Sequence, residues 1–299
     1  MMSNKFIRYN YGEYGYLNLI KKVIKYGEIQ ETRNGITRSL IGETLRFDLR
    51  DNKLPLLTTK KMAWKTCLKE LLWFIHGKTD NKILINQNVK IWNGNGSREF
   101  LDSRGLFHLN ENDLGPVYGH QWRYFNAKYK DCETNYDGEG IDQLNNIINM
   151  LKDDEHKHSR RIIMSAWNPI QIDEMALPPC HVLCQFHVNK NDELSCSLYQ
   201  RSGDIGLGIP FNIASYSFLT HLLGKHCNLK PKEFIHHIGN AHIYESHLTP
   251  LLKQLKNKPL KPPSLNINIL KNDINDYKLN NFIVENYTSY ENISMDMVV

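Results

Sequence analysis

Cys180 stands at the end of Leu177-Pro178-Pro179, and the apolar run His181-Val182-Leu183-Cys184-Gln185-Phe186-His187-Val188 follows it. Two prolines fix φ and remove backbone donors, so the cysteine is presented at a stiff corner leading into a strand. That arrangement suits a nucleophile held still. It equally suits a small buried side chain, and this stretch alone leaves both open. Glu70 is the second residue of interest. It lies at the margin of an apolar helical stripe, one turn from Cys67, Trp73 and Phe74. A carboxyl there has a raised pKa and can carry protons, unless it is merely a partly exposed flanking residue.

Anion chemistry is suggested by the arginines. Arg33 occupies the turn Glu31-Thr32-Arg33-Asn34-Gly35, Arg160 and Arg161 precede a strand-like run, and Arg201 opens Gln200-Arg201-Ser202-Gly203-Asp204-Ile205-Gly206-Leu207-Gly208. Guanidinium forks pair bidentately with phosphate. Adjacent arginines on a strand point to opposite faces, so Arg160 and Arg161 meet one anion only from a bend or across an interface; otherwise they are ordinary surface charges. Asn212 offers an amide donor and acceptor side by side, matching a pyrimidine edge. As the opener of the apolar helix expected at 213–223, it also reads as a helix N-cap. The loop at 200–212 lacks Walker spacing and the full dinucleotide fingerprint.

Several elements must position these residues. Periodicity predicts helices over 16–26, 60–77, 141–151 and 213–223, and one from about 245 to 256 containing Pro250. Strands are expected over 37–49, 162–167, 180–188, 193–199 and 233–238, with two more in the tail at 265–270 and 281–286. The polar stretch 93–113 reads as an inserted surface loop, and 113–123 as a structured loop facing a ligand. No repeat or linker divides the 299 residues, so one domain is expected.

Composition bounds the function. Hydrophobic residues make up 41% and charged residues 23%, with a net charge of +5. That mild excess fits a small anionic substrate, and no basic-aromatic interleaving marks nucleic acid as the primary partner. There is no apolar leader and no run long enough for a membrane span, so a reduced, cytoplasmic protein is expected. Cys180 and Cys184 lack a second pair at zinc spacing and read as one strand face, so no metal is expected.

From about Tyr16 onward the chain resembles the thymidylate synthases. The resemblance rests on 55–60 (PLLTTK), 70–74 (ELLWF), 113–119 (DLGPVYG), 160–163 (RRII), 175–181 (MALPPCH), 199–204 (YQRSGD) and 210–216 (PFNIASY), in that order. It implies an α+β domain over 1–299 with a large mixed sheet flanked by helices, two sheets packing back to back in an obligate homodimer. Residues 1–15 would be an N-terminal extension, 93–113 a surface insert, and 287–299 a tail that closes over ligands. With no reductase domain ahead of the motifs, a monofunctional, eukaryotic-type member is expected.

The implied reaction is reductive methylation of dUMP to dTMP, with 5,10-methylenetetrahydrofolate giving both carbon and hydride. Cys180 would add to uracil C6, and Arg201 would favour its thiolate. Arg33, Arg201 and Ser202 would hold the 5′-phosphate, with Arg160 and Arg161 reaching in from the partner subunit. Asn212 would read the uracil edge, and His242 and Tyr244 the ribose hydroxyl. Glu70 would run a proton network with His181 beside it, and Tyr118 would stand near C5. Asp204 would border nucleotide and pterin, and Ile91, Trp92, Leu207 and Gly208 would line the folate site. Lys60 would meet a polyglutamate tail and the Val299 carboxylate would lie near the folate.

The chain departs from the family pattern at Arg33-Asn34-Gly35-Ile36-Thr37-Arg38, where Arg38 is the alternative to Arg33 as phosphate anchor, at Gly239-Asn240, and at Asn286-Tyr287-Thr288-Ser289-Tyr290. A deoxycytidylate hydroxymethylase on the same scaffold is the alternative activity, and Asn212 argues against it. A catalytically idle, RNA-binding relative is the reading from another class.

Overall fold

The computed structural model describes residues 11–32 and 35–297. In chain order the elements are α1 (Gly12–Tyr26), β1 (Glu28–Thr32), β2 (Gly35–Asp48), α2 (Trp64–Ile75), α3 (Asn81–Ile85), α4 (Arg98–Ser103), α5 (Tyr118–Arg123) and α6 (Gln143–Lys152). Then follow β3 (Ile163–Ser165), β4 (His181–Val188), β5 (Glu193–Asp204), α7 (Gly208–His226), β6 (Lys230–Tyr244), α8 (Leu248–Gln254), β7 (Ser264–Ile267) and β8 (Phe282–Glu285). Six strands form one sheet in the order β1-β2-β6-β5-β4-β3, and β7 pairs with β8. Among the six, β5 and β6 run parallel while the other neighbours are antiparallel, so the sheet is mixed and the fold is α+β.

The parallel pair needs a crossover, and α7 supplies it. This helix is apolar nearly all round, as a core helix must be, with Ile213, Phe218, Leu219 and Leu222 at 0% exposure. It packs between the inner face of the sheet and α2. Alternation in β5 turns Leu194, Cys196 and Leu198 inward against α7. On the opposite sheet face Ile41, Ile163 and Tyr199 are left exposed by the described residues.

Several elements differ from the sequence reading. The polar run from Gln200 to Asp204 continues β5, and β6 runs on through Asn240 to Tyr244, because pairing between them persists to Asp204 and His242. Gly203 permits that continuation: a Cβ there would meet the Ile209 side chain at 2.4 Å. The helix expected from Ile213 begins at Gly208, one turn earlier, so Asn212 lies inside α7 and its N-cap role falls away; Leu207 is at that position. Residues 113–123 are less a loop than a buried corner ending in α5. The 93–113 insert carries α4 and buries Leu101, Leu106 and Leu109, so it is anchored to the core. Residues 12–15, assigned to an extension, are the first turn of α1. The helix expected over 60–77 is shorter, with Ala63 exposed at the N-cap of α2. Pro250 sits in the first turn of α8, where the missing N–H would have had no helical partner.

Candidate functional site

The Pro178-Pro179 corner is held by Arg201. Its Nε donates to the Pro179 carbonyl and its Nη2 to the Pro178 carbonyl, both at 2.9 Å. The Arg201 amide donates to the Cys180 carbonyl at 2.8 Å, extending the β4–β5 ladder by one rung. The Cys180 amide in turn donates to Tyr118 Oη at 2.8 Å. Both backbone groups of Cys180 are thereby fixed, and its half-buried side chain stands at the strand entrance. Burial pushes the Cys180 thiol above its ordinary pKa, and the Arg201 guanidinium pulls it the other way without prevailing. The guanidinium also lies over the Trp167 ring, 5.8 Å from its centroid.

A register shift between His181 and Leu183 displaces the alternation by one residue. His181 therefore joins the inward row of Cys184 and Phe186, and the expected shared face of Cys180 and Cys184 is broken. Among the described residues no His, Cys, Asp and Glu group forms a metal site. His181 stacks on Tyr118 at 4.2 Å and 19°, and its Nδ1 is 3.0 Å from Tyr216 Oη. Burial lowers its pKa to about 3, so the ring is neutral.

Glu70 projects from α2 into the same cluster. Its Oε1 accepts from Trp92 Nε1 at 2.8 Å, and Trp92 lies 6.0 Å edge-on to Tyr118. Burial raises the carboxyl to about 7, against the pull of the indole hydrogen bond. A carboxyl at that value exchanges its proton readily near neutral pH. Ile91, next to Trp92, packs at the edge of the core.

Strand β5 links this cluster to a second. Register pairs Ser202 with Asn240 and Asp204 with His242. His242 Nδ1 lies 3.2 Å from Asn240 Oδ1, and its ring meets Tyr244 edge-on at 5.3 Å. Asp204 accepts from the Gly206 amide at 2.8 Å and the Leu207 amide at 3.1 Å, shaping the turn into α7. Burial would raise Asp204, but His247 and the Gly206 amide outweigh it and hold the carboxyl below its usual range. At the head of α7, a Cβ on Gly208 would meet only Asp204 and Asn212, at 3.8 and 3.9 Å. Asn212 and Asp204 thus both approach the head of α7.

Other expected residues are placed differently. Lys60 is 4% exposed, donates to the Gly206 carbonyl, and is lowered to about 8 by burial. It braces the Asp204 turn from inside rather than facing solvent, where a polyglutamate chain would lie. Arg160 and Arg161 are exposed in a turn before β3, not within the strand, so the opposite-face argument no longer separates them. Arg38 pairs with Glu245 at 3.4 Å. Arg33 and Val299 lie outside the described residues.

Two contributors carried no sequence signal. Glu13, in the first turn of α1, accepts four bonds from the amides and hydroxyls of Thr58 and Thr59, at 2.6–2.8 Å, and so fixes the 55–60 segment. His247, fully buried, approaches Asp204 through Nδ1.

The family model described as thymidylate synthase matches residues 14–299. The chain belongs to the thymidylate synthase family. It is 50% identical to human "Thymidylate synthase" over 290 residues, covering 97% of this chain and 91% of the human protein. It is 49% identical over 297 residues to the "Bifunctional dihydrofolate reductase-thymidylate synthase" of Leishmania major, covering 99% of this chain and 57% of that protein. The Paramecium tetraurelia bifunctional protein is 51% identical over 285 residues, covering 95% and 61%. The chain thus spans little more than half the length of these bifunctional relatives. All six cysteines are unpaired, and no helix of the described residues is long and apolar enough to cross a membrane.

Proposed function

We propose that the chain is a thymidylate synthase in activity: it converts dUMP to dTMP, with 5,10-methylenetetrahydrofolate consumed as donor of the carbon and the hydride. The observation that carries this is the corner in which the Arg201 amide and Tyr118 Oη fix both backbone groups of Cys180. The Cys180 sulfur, as thiolate, forms a bond to uracil C6, and the C5–C6 electron pair shifts to C5, which becomes the nucleophile. Glu70, balanced between its two protonation states near neutrality, handles the proton traffic around O4. Tyr118, whose Oη accepts from the Cys180 amide, would stand near C5, where a proton must depart. Neutral His181 keeps Tyr118 stacked and adds no charge to the site.

Asn212 matches the uracil edge, and Arg201 and Ser202, with Arg33, supply the phosphate site. His242 and Tyr244 receive the ribose hydroxyl. The donor set also fits a reduced folate. An ionised Asp204 keeps a lone pair beyond the bonds it accepts, suited to pterin N–H groups, beside Ile91, Trp92, Leu207 and Gly208. The methylene donor supplies a one-carbon unit at aldehyde oxidation level and the hydride that reduces it to methyl. The chain's own residues bind it, orient it and exclude water.

A homodimer is part of the proposal. The sheet face with exposed Ile41, Ile163 and Tyr199 supports back-to-back packing. Arg160 and Arg161, exposed and without an ion pair among the described residues, are suited to reach a partner's phosphate site. The cytoplasm is the proposed location.

The test is dTMP formation from dUMP and methylenetetrahydrofolate by the purified chain and by Cys180→Ala. Wild type should turn over dUMP in preference to dCMP, and the variant should lose at least about a thousandfold in kcat. Turnover surviving the substitution, or a preference for dCMP, would refute the proposal.

A further inference from the structure

The segment after β8 is strapped back across the 57–62 stretch. Tyr287 Oη donates to the Leu57 carbonyl at 2.8 Å and accepts from the Met62 amide at 2.9 Å. The Tyr290 amide donates to the Thr58 carbonyl at 2.8 Å, and the Lys61 amide to the Glu291 carbonyl at 3.3 Å. The last strap is His247. Its Nε2 lies 2.8 Å from the Asp296 carbonyl oxygen and its Nδ1 3.4 Å from Asp204 Oδ1.

Both partners of this buried ring can only accept hydrogen bonds. A neutral imidazole has one N–H and one lone pair, so it would press that lone pair against a carbonyl or a carboxylate. Only the imidazolium satisfies both at once, and Asp204 supplies the charge that offsets its burial. The packing leaves little slack. A Cβ on Gly206 would fall 2.7 Å from His247 Nδ1 and 2.9 Å from Met295 Sδ. Side chains from β5, the His247 turn and the tail converge on that glycine.

We propose that His247, acting as an imidazolium, is the positioning residue that latches the closing tail to Asp204, so that docking of residues 293–297 and the orientation of the folate-facing carboxylate are set together. The kinetic part of this inference rests on the function proposed above; the latch itself does not. Burial by itself would lower the ring's pKa, yet Asp204 prevails and holds it above its ordinary value. The groups facing the ring are Asp204 from β5, His242 and Tyr244 from β6, Lys60 from the segment before α2, and the Asp296 carbonyl from the tail. A raised value in the folded state means the latch is complete below the ring's free value and is lost as pH rises through the folded one. The tail therefore loosens on the alkaline side.

Two measurements test the latch without activity. The first is the imidazole titration of His247 by NMR, in the full chain and in a chain ending at Ser294. Loss of the Asp296 carbonyl should shift the titration to lower pH, and an unchanged titration would overturn the proposal. The second is carboxypeptidase trimming of the tail, read by intact mass. His247→Leu should be trimmed about tenfold faster than wild type, the worth of one charge-assisted hydrogen bond. His247→Gln, which keeps one donor, should fall between them and serves if the leucine variant does not fold. Wild-type trimming should accelerate from about pH 6 to 9 while the leucine variant stays flat. Equal trimming in all three proteins would also overturn it. In turnover, KM for the folate should rise in both variants with KM for dUMP held. A wild-type chain that makes no dTMP defeats the proposed function, while titration and trimming still decide the latch.

Discussion

At the scale of single residues, the site keeps its reactive groups away from their ordinary protonation behaviour, and burial is the common cause. Cys180 is held as a thiol in the free chain, with Arg201 the one opposing influence. Glu70 is the sharper case, because its carboxyl is raised to about 7. The sign follows from linkage. An ordinary carboxyl near 4.5 in the unfolded chain and about 7 in the folded chain means the fold binds the proton more tightly. Stability is unaffected below the lower value, declines between the two, and carries the full penalty above the upper one. Glu70→Gln keeps an acceptor for the Trp92 indole and removes the charge. It should therefore stabilise the protein at pH 8 by about 1–3 kcal/mol, do nothing for stability at pH 4, and nearly abolish turnover. Urea melts at the two pH values check this. A variant equally stable to wild type at pH 8 would mean the carboxyl is not held in an apolar site.

At the scale of elements, the strands and helices of the site were largely legible from periodicity, and the joints between them were not. Leu194, Cys196 and Leu198 alternate cleanly, so β5 was visible. Its extension through Arg201 to Asp204 was hidden, because a polar, glycine-bearing run has no hydrophobic period and acquires its strand geometry only from pairing with β6. The same holds for His242, which joins the site through long-range register. The β4 irregularity that turns His181 inward was equally invisible, since alternation is the very signal a bulge breaks. Cys180, Glu70 and the arginines could be singled out by type and place. Glu13 and His247 could not, because their roles exist only after residues 45 and 43 positions away have been brought to them. Glu13→Ala tests the first of these. It strands four donors of Thr58 and Thr59, two of them backbone amides, and should cost about 2–4 kcal/mol in urea unfolding. A cost under about 0.5 kcal/mol would mean water replaces the carboxylate freely.

At the scale of the whole molecule, the sheet separates two tasks. Its inner face packs on α7, while Ile41, Ile163 and Tyr199 are exposed on the outer face, where the proposed second copy would sit. If Arg160 and Arg161 serve the partner's phosphate site, two inactive chains should repair one another. An Arg160→Ala/Arg161→Ala chain keeps its cysteine, and a Cys180→Ala chain keeps its arginines. Refolded together in equal amounts, half the dimers are mixed and each has one complete site of two, so activity should return to about a quarter of wild type. No recovery would place the arginines within their own subunit's site or outside it altogether. The central claim, that Cys180 attacks C6 of a deoxyuridylate while a reduced folate sits beside Asp204, is tested most directly with 5-fluoro-dUMP. A fluorine at C5 cannot leave as the proton does, so the reaction stalls after carbon–carbon bond formation. Incubation with this nucleotide and methylenetetrahydrofolate should give a stable adduct whose added mass is the sum of both ligands, mapped to the peptide carrying Cys180. No adduct, or an adduct on another cysteine, would contradict the account.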